Sequence, residues 1–198
     1  MVESTVVEHP ALLVMDVQRS IVERIANDPG LLERIGTAIT EARAAAIPVI
    51  YVGIRFRDGY PEMSPRNRSF AMSRQAGNIM TEGSPAVEIH PAIAPQPGDI
   101  VVIKRRVSAF AGSDLDVVLR SQGIDTLILS GIATSGVVLS TLRYAADLDY
   151  RLTVLADCCA DGDAEVHRVC WKRSFHARRR SSMWRTGALL SKNGNRVR

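Results

Sequence analysis

Three features of this chain could do chemistry together. Asp16 stands directly after an apolar run, Ala11 to Met15. A carboxylate at the dry end of a strand makes a general acid or base, because burial raises its pKa toward neutrality. The same residue could equally cap a following helix. Lys104 closes the run Ile100 to Lys104. It reads either as a buried ammonium paired with Asp16 and able to hold an anionic transition state, or as a snorkelling cation with Arg105 and Arg106 solvated beside it. The third feature is Gly131-Ile132-Ala133-Thr134-Ser135-Gly136-Val137-Val138. A glycine after a strand, small residues and a helix start can turn backbone N–H groups toward an oxyanion, or can form a plain connecting turn.

The elements that must position these residues follow from the apolar pattern. Ala11–Met15, Val49–Ile54, Ile100–Lys104, Thr126–Ser130 and Leu152–Ala156 are short continuous apolar runs, which suit strands buried on both faces. Residues 31–46 carry Leu31, Ile35, Ala38, Ile39 and Ala42 on one helical stripe, and Ile47-Pro48 stops that helix. Further helices are expected over Asp114–Ser121 with Ser113 as N-cap, over Val137–Leu148, and from Asp163 with Val166, Val169 and Cys170 on the inner face. Between Arg55 and Pro97 the chain is rich in Gly, Pro and Ser, with one short helix near 68–77. A long irregular segment of this kind is usually functional. Alternating strands and helices predict a doubly wound, three-layer α/β/α domain on a mostly parallel, Rossmann-like sheet. Ligands of such sheets sit at the carboxyl ends of the strands. Asp16, Lys104 and the Gly131–Val137 turn all fall there, at what the pattern suggests are adjacent strand ends.

In that order and spacing these segments resemble the isochorismatase-like (cysteine hydrolase) superfamily, over roughly residues 8–170. LLVMDVQ is similar to the family's opening strand with its catalytic aspartate, here Asp16, followed by Gln18. IVVIKRRVSAFAGSDL is similar to the lysine segment, with Lys104 in the catalytic position and Phe110 after it. LILSGIATSGVVLSTLRYAADLDYRLTVLADCCAD is similar to the segment Gly-x-x-Thr-x-x-Cys-Val, then a helix, a strand and an aspartate. The resemblance implies a cis peptide at Ile132–Ala133. It also implies that Val137 occupies the position of the nucleophilic cysteine. Valine has no nucleophilic atom. Cys158 and Cys159 lie past the next strand, and none of His9, His90, His167 and His176 presents itself as a base for Thr134 or Ser135. Isochorismatases proper also lack the cysteine and use the aspartate to protonate a vinyl ether. The resemblance therefore implies a hydrolase of a small metabolite, of amide or vinyl-ether type. Gln18, Arg55, Phe110, Ile132, Ala133 and Thr134 are then the candidates for its substrate wall, with Arg57 beside them. The rival reading is a catalytically inactive member that binds a metabolite or a partner chain. Metal-dependent members carry an Asp-x-His pair near the second strand. This chain reads Ile54-Arg55-Phe56-Arg57-Asp58 there, so no metal and no cofactor are expected. Homo-oligomer formation is implied by the resemblance alone.

Composition narrows the setting. The chain has 198 residues, 46% of them apolar and 23% charged, enough for one domain with a real core. No apolar run reaches the roughly 18 residues that span a bilayer, and no secretory leader is visible, so a cytoplasmic, membrane-free location is expected. The three cysteines form no metal-binding spacing and are read as reduced thiols. The net charge of +4 is unevenly spread. Residues 171–198 hold nine Lys/Arg and no acid, leaving 16 basic and 21 acidic residues over 1–170, a net of −5. We read 1–170 as the hydrolase domain and 171–198 as an atypical basic tail. SFHARRRSSMWRTG does not read as a sixth strand, so that strand is expected to be missing or altered. An adjacent frame of one permitted back-translation would supply it, which makes a frameshift the leading explanation of the tail. Nucleic-acid binding through the tail is the lesser alternative.

Overall fold

The computed structural model describes residues 8–25, 28–75, 77–175 and 181–184. Six parallel strands form one sheet: β1 (Pro10–Met15), β2 (Val49–Ile54), β3 (Ile100–Lys104), β4 (Thr126–Ile132), β5 (Arg151–Ala160) and β6 (Ser181–Trp184). Their order is β3-β2-β1-β4-β5-β6. Every pairing is parallel, so each return crosses over through a helix or a long loop. β1, β2 and β4 are buried along almost their whole length, as their unbroken Val/Ile/Leu runs require. The direction of winding reverses between β1 and β4, and their carboxyl ends flank the crevice that this reversal opens.

Two layers of apolar side chains cover the sheet. One layer joins Leu12, Val14 and Tyr51 to Leu31, Ile35, Ala38, Ile39 and Ala42 of α2 (Leu31–Ala44) and to α1 (Arg19–Ile25). The stripe read from the sequence is the buried face of α2. The other layer joins Leu13, Met15, Val52 and Leu129 to α4 (Leu115–Ser121) and α5 (Leu139–Asp147). Between β2 and β3 the chain is mostly irregular, with α3 (Arg68–Gln75) and three single-turn 3₁₀ segments. α6 (Ala164–Val169) follows β5.

Four expectations need correction. A sixth strand does form: Ser181–Trp184, inside the stretch that did not read as one, pairs in parallel with Leu152–Leu155. Most of the remaining tail lies outside the described residues. Second, Asp16 and Lys104 do not stand on adjacent strands, because β2 lies between β1 and β3. Third, Val166 and Val169 are not the inner face of α6, each being 38% exposed; Cys170, expected there with them, is buried, as is Trp171. Asp163 does cap that helix, accepting from the N–H groups of Glu165 and Val166. Finally, the N-cap of α4 is Asp114 rather than Ser113, whose hydroxyl still accepts from the Leu115 N–H at 3.3 Å.

Candidate active site

Asp16 is the first residue beyond β1, and its positive φ of 55° turns the chain out of the strand there. Its carboxylate Oδ2 lies 2.9 Å from Lys104 Nζ, with only 9% and 1% of the two side chains exposed. Two strand spacings, about 9.5 Å, separate the parent strands. The lysine, in effect, reaches across the end of β2. A second Nζ hydrogen goes to the Arg106 carbonyl at 2.9 Å, which fixes the head of the side chain. The other carboxylate oxygen, Asp16 Oδ1, is buried and has no hydrogen-bond partner among the described residues. Burial pushes the Asp16 carboxyl above the usual carboxylate range, and the neighbouring Lys104 charge pulls it back only in part.

The turn after β4 lies beside the end of β1, where Gly131 pairs with Met15. Gly131 has φ 135° because the backbone passes against β1: a Cβ there would sit 2.1 Å from the Met15 carbonyl oxygen. The Ile132–Ala133 peptide is cis. The Ala133 carbonyl accepts from the N–H groups of Gly136 and Val138, which closes the turn. Asp161 holds it from outside, its Oδ2 accepting from both the N–H and the hydroxyl of Ser135 at 2.7 Å. The Thr134 side chain holds it from within. Its Oγ1 lies 3.1 Å from the Ala160 carbonyl and 2.8 Å from His167 Nδ1.

Residues 10–180 match the model of the isochorismatase domain. The chain belongs to the isochorismatase family. It is 35% identical over 168 residues to the ureidoacrylate amidohydrolase RutB of Stutzerimonas stutzeri (strain A1501), covering 74% of this chain and 68% of that one. It is 33% identical over 165 residues to YwoC of Bacillus subtilis (strain 168), an uncharacterized isochorismatase family protein, covering 83% of this chain and 85% of that one. Among solved structures, an isochorismatase family protein from Desulfovibrio vulgaris superposes with TM-score 0.84 at 25% identity, over 96% of this chain and all of the other. The N-carbamoylsarcosine amidase of Thermoplasma acidophilum superposes with TM-score 0.73 at 28% identity, over 89% of this chain and 96% of that one. This isochorismatase-family chain is a hydrolase with the family's α/β fold.

Within this family frame the other candidate residues divide. Val137 is 2% exposed and packs in the second apolar layer with Leu129, Val138, Leu142 and Cys159. Gln18 is fully buried, and its amide is spent on the backbone. Nε2 donates to the Ile54 carbonyl at 3.0 Å and to the Val87 carbonyl, while Oε1 accepts from the Ile54 N–H at 2.9 Å. Gln18 thus ties the end of β2 to the long loop. The Phe110 ring stacks on Tyr144 at 5.1 Å and packs against Tyr150 at 6.0 Å. Ile132 and Ala133 shape the turn, their side chains packed in the first layer. Arg55 follows β2, the strand between those of the ion-pair partners, and its Nε is buried without a hydrogen-bond partner among the described residues. Arg57 is engaged by Glu62 at 2.7 Å.

Sequence reasoning missed His167 and underrated Cys159. A His-x-x-x-Trp pair, one helical turn apart, was the available signal for the histidine. Cys159 pairs in register with Gly131, so it lies beside the turn rather than at a remote strand end. Burial pushes its thiol well above the ordinary cysteine range, which keeps it protonated and inert.

Proposed function

We propose that the protein hydrolyses a small metabolite without a thiol nucleophile, using Asp16 as general acid and Lys104 as its charge partner. The observation that carries this reading is the buried pair with one carboxylate oxygen left over. Oδ2 is held by Lys104, whereas Oδ1 has no hydrogen-bond partner among the described residues and the carboxyl's proton affinity is raised by burial. A carboxylic acid in that state delivers a proton to a substrate better than it accepts one. On a vinyl ether, Asp16 protonates the terminal carbon, and water adds to the resulting oxocarbenium carbon. The adduct then collapses to an alcohol and a carbonyl compound, and water returns the proton to Asp16. Lys104 stabilises the carboxylate formed between these steps. On an amide the same acid protonates the leaving nitrogen as water attacks the carbonyl carbon; the C–N bond breaks, and the proton shed by that water returns to Asp16. In this reading the Ile132–Val137 turn forms the oxyanion side of the site, and Arg55, at the end of β2, is a candidate for its wall.

Val137 favours a second reading. Its buried, apolar side chain suits a family member that binds a metabolite or a partner chain and no longer turns over. Assay of the unaltered protein, Asp16→Asn and Val137→Cys against small amides and vinyl ethers separates the two. Turnover by the unaltered protein, abolished in Asp16→Asn, supports acid catalysis. Turnover only in Val137→Cys would replace it with a silenced amidase pocket, and silence in all three would favour the binder.

A further inference from the structure

His167 is the one residue of α6 turned partly inward, and it joins three elements. The Trp171 indole Nε1–H lies 2.8 Å from His167 Nε2, and His167 Nδ1 lies 2.8 Å from Thr134 Oγ1. Thr134 Oγ1 in turn reaches the Ala160 carbonyl at the end of β5. The direction of each bond is fixed by its ends. An indole N–H only donates and a carbonyl only accepts. So His167 Nε2 must carry the lone pair and Nδ1 the proton. Nδ1–H then donates to Thr134, and the threonine hydroxyl donates to Ala160. In this arrangement His167 cannot serve Thr134 as a base; it can only hold it.

We propose that His167 is a positioning residue, a neutral Nδ1–H imidazole that fixes the Ile132–Val137 turn through Thr134 and loses its Trp171 anchor when protonated. This rests on the reading of that turn as part of the active site. Protonation places a hydrogen on Nε2, facing the indole N–H, so two donors oppose each other and the Trp171 bond is lost. The groups around the ring favour the neutral form. Burial lowers the imidazole's pKa, and the opposing charge is Asp161, which is already engaged by Ser135. On the ring's own helix Glu165 pairs with Arg168, and Lys172 adds a further cation nearby. From α5, Arg143 lies near Cys170, and Cys170 is itself held protonated by burial.

The test begins with imidazole ¹⁵N NMR of the full chain between pH 5 and 8. The expected spectrum shows His167 as the Nδ1–H tautomer at neutral pH, titrating below the ordinary histidine value of 6.5. An Nε2–H tautomer, or titration above that value, would overturn the proposal. Trp171→Phe keeps the packing but removes the donor, and should raise the His167 midpoint; an unchanged midpoint counts against the relay. Amide shifts across residues 132–138 should move with the His167 titration and should not move in His167→Phe. If the assays above find a substrate, His167→Phe should lower kcat on the order of 10- to 100-fold with little change in KM, because a misplaced turn costs orientation. The NMR results stand whether or not turnover is found, so failure of the relay and failure of the catalytic reading are told apart.

Discussion

Replacing Lys104 by methionine keeps the length of the side chain and removes its charge. The side chain is 1% exposed and its partner carboxylate 9%, so bulk water cannot take over its role. Breaking a buried pair by removing one partner costs about 3–5 kcal/mol, because the remaining charge is left uncompensated. For a domain of this size each kcal/mol lowers Tm by roughly 2–4 °C, so Lys104→Met should lose about 6–20 °C. Asp16→Asn/Lys104→Met should recover much of that, since both charges leave together. The pH dependence has a definite sign. Burial raises the Asp16 carboxyl, and Lys104 opposes that rise. A group with a raised folded pKa favours folding below its unfolded pKa, and that support is lost as pH rises through the folded value. Without Lys104 the carboxyl moves further up, so the deficit of Lys104→Met should be largest near pH 8 and shrink toward pH 5. Urea unfolding followed by far-ultraviolet circular dichroism at several pH values measures both quantities. A deficit under about 1 kcal/mol, or one that grows in acid, would refute the account of the pair as buried and mutually compensating.

Four further expectations are independent of that pair. Gly131→Ala should cost more than about 3 kcal/mol, since its methyl would meet the Met15 carbonyl at 2.1 Å, whereas Gly123→Ala, with open space around it, should cost only the 1–2 kcal/mol of a left-handed alanine; thermal melts compare the two. Gln18→Met should destabilise by roughly 3 kcal/mol by stranding backbone groups of Ile54 and Val87, without a separate effect on KM; a KM change at unaltered stability would assign Gln18 to the substrate wall. The depressed pKa of His167 makes stability fall as pH drops below 6.5, and His167→Phe should flatten that slope in melts between pH 7 and 5. All three cysteines are buried, so an aromatic disulfide reagent should label none rapidly at pH 8 and three after unfolding in urea; fast labelling of Cys159 would contradict its inert assignment.

What could be read from the sequence follows from how local the signal was. Strands buried on both faces announce themselves as apolar runs, and the α2 stripe repeats at helical spacing, so both were visible without tertiary information. Asp16, Lys104 and the turn at Gly131 were visible for the same reason: each interrupts or ends such a run. Strand order is a long-range property, and so the placement of β2 between the two ion-pair partners was hidden. The contacts of Gln18 and Phe110 were hidden because their neighbours, Ile54, Val87 and Tyr144, come from distant segments. The α6 face was misread because Val166 and Val169 follow helical spacing yet lie outward, while His167 is turned inward to bond Thr134. β6 was missed because a four-residue strand set among arginines has no apolar period to detect.

The reach of Lys104 across β2 also acts on folding. β3 lies at the edge of the sheet, with β2 as its one neighbour. Edge strands are the least restrained in alignment, and a slip of one residue moves every side chain to the other face. Such a slip would bring Ile103 or Arg105 into the lysine's place. The first leaves a bare buried carboxylate, and the second crowds a branched guanidinium into a space shaped for a primary ammonium. The ion pair therefore proofreads the alignment of the outermost strand, and a chain that has closed the Asp16–Lys104 pair has by that act set β3 in register.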